Sequence, residues 1–140
     1  MTLRSARNAY ASAAVETVAP EKLLIMLFDA LVRNLVQAEA AIDDQNSTVA
    51  HEKLIVAQDI VGELISSLNP DGFEGGQQLL GLYTFMYGEL IDANLNKSKA
   101  KVMGVRSLVE PLAETWRQAA TTLAESGPDS PSMDSISVAG

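Results

Sequence analysis

The chain has 140 residues and a mass of 14.9 kDa, enough for one domain that buries about two-thirds of its unfolded surface. Its content of 47% hydrophobic, 5% aromatic and 20% charged residues suits a helical fold rich in alanine and leucine. A formal charge of −8 with scattered carboxylates argues against nucleic acid or an anionic membrane as partner, and the lack of cysteine removes disulfides, thiol chemistry and Cys-ligated zinc.

Residues 1–19 are read as an N-terminal arm. Arg4 and Arg7 precede Ala9-Tyr10-Ala11-Ser12-Ala13-Ala14-Val15, which is too weakly apolar for a secretory signal, so the sequence reads as mature and cytoplasmic. The longest wholly apolar run, Leu23 to Phe28, falls far short of the ~18 residues a membrane span requires.

Four helices follow. The first opens at Pro20-Glu21, with proline at the first helical position, where its missing N–H costs nothing. Its apolar stripe is Leu24, Phe28, Leu31, Leu35, Ala38 and Ile42, in steps of three and four. The polar stretch Asp43-Asp44-Gln45-Asn46-Ser47 ends it and offers Ser47 as the cap of the second helix, whose stripe is Leu54, Ala57, Val61, Leu64 and Leu68. Asn69-Pro70-Asp71-Gly72 breaks the chain, and Gly75-Gly76 extends the break into a flexible helix-start loop. The third stripe is Leu79, Leu82, Tyr83, Met86, Leu90 and Ala93; the fourth is Val102, Val105, Val109, Leu112, Trp116, Ala119 and Leu123. Pro111 inside the fourth predicts one kinked or locally distorted helix, because the stripe continues on both sides. From Ser126 onward, Gly, Pro, Ser and Asp predict a disordered tail. The expected fold is all-α, an antiparallel up-down-up-down four-helix bundle over residues 20–125, with arm 1–19 and tail 126–140.

Three helices carry more apolar surface than one seam uses. Ile25, Val32 and Val36 lie beside the first core stripe, Val49, Val56 and Ile60 beside the second, and Leu80, Tyr87 and Ile91 beside the third. A wide core, oligomerisation, cover by residues 1–19, or a groove for a partner's amphipathic helix would each account for them.

Chemistry finds little support. His51 is the sole histidine, which rules out a multi-His metal site, and no Gly-x-Ser-x-Gly turn exists. Asp29, Glu39, Asp59, Glu63, Glu89 and Asp92 are expected on polar faces, and Lys97, Lys99 and Lys101 in a solvated turn. Phosphate at the glycine-rich helix start would meet Asp71 and Glu74. No enzyme, metal or cofactor is expected.

Taken in order, Tyr10, Pro20-Glu21-Lys22-Leu23, Glu63-Leu64, Gly75-Gly76, Leu82-Tyr83, Met86, Ala93-Asn94-Leu95 and Trp116 resemble the FliS family of flagellin-specific export chaperones, over about residues 10 to 117. The chain departs from that pattern at Ala19, where the family usually has serine, at Phe28 and Ala30, at Gly88 where arginine is common, and at Pro111. The resemblance implies a cytoplasmic bundle that binds the C-terminal helices of flagellin, prevents premature polymerisation and delivers the subunit to the flagellar type III export gate. It casts Tyr10 as a cover residue on the arm. Client contact is then expected at Val49, Val56, Ile60, Leu80, Tyr87 and Ile91. A structural or regulatory bundle acting as a homodimer is the alternative.

Overall fold

The computed structural model describes residues 20–126, with side chains described as far as Thr122. It contains four helices and, among the described residues, no strand: α1 (Pro20–Asp43), α2 (Ser47–Ser67), α3 (Gly76–Asn96) and α4 (Lys99–Ser126). The expected arm with Tyr10 and the expected tail beyond Ser126 lie outside the described residues.

Each helix packs on the next and α4 closes on α1, while the backbones of the diagonal pairs α1–α3 and α2–α4 stay apart. The four therefore ring a single core. Cross-links set their directions. Asp43–Lys99, Glu39–Arg106 and Asp29–Arg117 join falling to rising residue numbers, so α1 and α4 run antiparallel. His51 meets Asn94 and Gly62 faces Tyr87, which makes α2 and α3 antiparallel as well.

The core is the one the periodicity predicts. Phe28, Leu31, Leu35 and Ala38 of α1 are fully buried with Leu54, Ala57 and Val61 of α2. Met86, Leu90 and Ala93 of α3 and Val102 and Val109 of α4 complete it, and Trp116 packs half-buried against its edge. Pro111 sits within one unbroken helix, as expected, and is solvent-exposed, so its missing N–H falls on the wet side of α4.

Several local expectations are corrected. The α2 cap is Asn46, not Ser47: the Asn46 Oδ1 accepts from the Val49 N–H at 3.1 Å, while Ser47 is the first helical residue. In the glycine pair, Gly75 is exposed and Gly76 is buried against the preceding turn. Gly75 adopts φ +90°, the left-handed region that favours glycine, and a Cβ on Gly76 would drive into the Pro70 carbonyl. Glu39 and Glu63 are buried instead of lying on polar faces.

The basic cluster is not a solvated turn either. Lys97, in the left-handed region at φ 50°, donates through Nζ to the Asn94 carbonyl and Oδ1 at 2.6 and 2.8 Å. Lys99 pairs with Asp43 at 2.9 Å, and Lys101 with Asp92 and Glu89 at 2.9 and 3.4 Å. The three lysines thus tie the ends of α1, α3 and α4 together.

Candidate functional site

An α-helix repeats its faces every three to four residues, so one contact fixes the direction of a whole flank. On α2, His51, Ile55, Gln58 and Gly62 share a flank. The contacts His51–Asn94 and Gly62–Tyr87 show that this flank meets α3. Val49, Val56 and Ile60 share the opposite flank, turned towards α1, the other neighbour of α2. On α3, Leu80, Thr84, Tyr87, Ile91 and Asn94 share the flank that meets α2, whereas Phe85, Glu89 and Asp92 face α4, where Lys101 binds both carboxylates.

This geometry divides the six residues expected at a client site. Tyr87 and Ile91 are 37% and 40% exposed and lie beside the half-buried Leu80 on the α2–α3 seam. Val56 is exposed and Val49 half-buried, but both sit on the far flank of α2. Ile60 is 1% exposed and belongs to the core, so its side chain offers no surface. It closes the gap between α2 and α1 because three to four residues carry it round to Ala57 and Leu64.

The residue that does stand opposite Tyr87 and Ile91 is Ile55, 39% exposed, which the reading of the sequence passed over. The signal was present in the four-residue step from His51, but the flank could be oriented only once a contact to α3 was known. Phe85 and Leu95 were also missed as surface, at 56% and 79% exposed. Both lie outside the core stripe of α3, and the apolar run from Leu79 to Leu95 masked that difference.

One end of the seam is clamped by a polar network. The Asn94 amide, buried and directly after the core residue Ala93, donates from Nδ2 to His51 Nδ1 at 3.0 Å while its Oδ1 accepts from Lys97 Nζ at 2.8 Å. With Oδ1 engaged by a cation, the consistent arrangement leaves His51 Nδ1 as the acceptor. His51, exposed near the start of α2, thus also ties the two helices together. On the opposite side of the molecule, Arg106 grips the buried Glu39 carboxylate with two bonds of 2.6 and 3.0 Å and reaches Glu110 at 3.1 Å. Those hydrogen bonds hold the Arg106 pKa above its ordinary value.

No three His, Asp or Glu side chains converge as a metal set among the described residues. No described helix is long and apolar enough to cross a membrane. What stands out is apolar surface left over by a well-filled bundle, gathered where Ile55 faces Tyr87 and Ile91. Fold and surface together define an all-helical bundle with an unspent helix-lined seam.

The flagellar protein FliS family matches residues 3–123, and the chain belongs to that family. It is similar to the flagellar secretion chaperones FliS of Bacillus subtilis, 29% identical over 85% of this chain and 89% of that protein, and of Campylobacter jejuni, 33% identical over 81% and 89%. A third such chaperone, from Salmonella typhimurium, is 31% identical over 84% of this chain and 92% of its own length.

Proposed function

We propose that the protein is a cytoplasmic chaperone that holds the C-terminal helical segment of flagellin, keeps it from polymerising prematurely and delivers it to the flagellar type III export gate. The observation that carries this reading is the exposed apolar seam of Ile55, Tyr87 and Ile91 on a chain of this family. An apolar helix laid there would remove the three side chains and Leu80 from water, a gain of about 25 cal/mol for each Å² of apolar surface covered. Val49 and Val56 extend the contact onto the other flank of α2, and Tyr10 on the arm is the cover displaced when the client arrives. Ile60 contributes through the core.

The test is calorimetric titration of flagellin, with and without its C-terminal helices, into the wild-type protein and into Tyr87→Ala and Ile91→Ala. Truncated flagellin should fail to bind, and each variant should weaken full-length binding by about 1–3 kcal/mol, the cost of removing a buried apolar anchor. Equal affinity for both forms of flagellin would sink the assignment.

A further inference from the structure

The chemistry of the α2–α3 seam specifies more than an apolar client. Its α2 rim carries Glu52 and Asp59, both exposed, and among the described residues neither side chain has a hydrogen bond or ion pair. They lie three residues before and four after Ile55, on one line along the helix, two turns or about 10.5 Å apart. The α3 rim differs. Thr84, Gly88 and Leu95 are exposed and uncharged, and Asp92, on the far flank, is already held by Lys101. The registers His51–Asn94 and Gly62–Tyr87 set Asp59 level with Gly88, where an added Cβ would meet nothing within 4 Å. The seam is thus an apolar floor with one acidic rim and one smooth, notched rim.

We infer that this seam takes an amphipathic helix whose apolar stripe is flanked on one side by two cationic residues seven positions apart, which meet Glu52 and Asp59. Location rests on the function proposed above; the charge preference does not. The bundle leaves these two carboxylates unneutralised, while Lys99 pairs with Asp43, Lys101 with Glu89 and Asp92, Arg106 with Glu39, and Arg117 with Asp29. A partner's cations would complement the two carboxylates and fix which way round the helix lies. Open space at Gly88 lets the partner's backbone approach α3 closely on the uncharged side.

Two synthetic amphipathic peptides of about twenty residues share one leucine stripe and differ only at the two flanking positions, Lys in one and Glu in the other. Binding to the full chain is followed by fluorescence anisotropy at low and high salt. The Lys peptide should bind about tenfold more tightly than the Glu peptide, with the gap closing as salt screens the rim. The double variant Glu52→Lys/Asp59→Lys should reverse the preference, and Gly88→Arg, which sets a cation beside Asp59 and fills the notch, should abolish it. All three substitutions are at exposed positions, and thermal melts confirm that the variants fold. Equal binding of the two peptides, no binding of either, or a preference that survives the double variant overturns the inference. If that happens while Tyr87→Ala still weakens flagellin, only the charge preference fails; if the peptides discriminate while Tyr87→Ala leaves flagellin unaffected, the client assignment fails instead.

Discussion

Two side chains show how burial decides behaviour at the scale of single residues. Tyr83 is 2% exposed, and burial raises the pKa of its hydroxyl far above the ordinary value of 10.0. At pH above 10 the unfolded chain has lost a proton that the folded one keeps, so unfolding becomes steadily easier, by up to about 1.4 kcal/mol per pH unit. Lys101, its pKa raised first by the hydrogen bond to Asp92 and then by that to Glu89, adds to the loss in the same direction as it deprotonates. Denaturant melts from pH 7 to 11 should therefore show an alkaline decline that is shallower in Tyr83→Phe, with the two proteins alike at pH 7. Arg106→Met should cost about 1–3 kcal/mol in urea melts, because the Glu39 carboxylate stays buried without its partner. Adding Glu39→Leu to that variant should recover most of the loss, since an apolar pair needs no desolvation.

At the scale of an element, α3 is the informative helix. It starts at a glycine pair in which each member answers a different constraint, one of backbone conformation and one of space. Gly75→Ala should cost about 1–2 kcal/mol for placing a Cβ in the left-handed region. Gly76→Ala should cost more, because the turn at Pro70 would have to shift, and a urea midpoint lower than that of Gly75→Ala would show it. Farther along, Gly81 stands exposed with open space around it, so Gly81→Ala should stabilise the bundle by about 1 kcal/mol in the same assay. The pair was legible in the sequence as a break. The close approach of Gly76 to Pro70 was not, since only the neighbouring turn shows what a methyl group would strike.

The molecule as a whole carries its exposed apolar side chains on separate faces. Ile55, Tyr87 and Ile91 line the α2–α3 seam, Val56 lies on the far flank of α2, Phe85 faces α4, and Val36 sits on α1 and Met103 on α4. A two-fold dimer needs one self-complementary patch, about 600 Å² or more from each partner, and apolar side chains spread over several faces do not favour one. Sedimentation velocity at micromolar concentration should therefore give a monomer, and a tight dimer burying Tyr87 would instead support the structural-bundle alternative.

Sequence by itself determined the four helices, their core stripes and the family, because helical periodicity and turn residues are local properties that every tertiary arrangement must respect. It also marked Leu80, Tyr87 and Ile91 as surplus to the core. Only the tertiary structure decided which neighbour each flank meets. That choice sent Ile60 into the core, put Val56 on the far side of α2, and set Ile55 opposite Tyr87. A helix's angular pattern is known from its residues alone, but its rotation about its own axis within the ring is set by contacts such as Gly62 with Tyr87, between residues far apart in the chain.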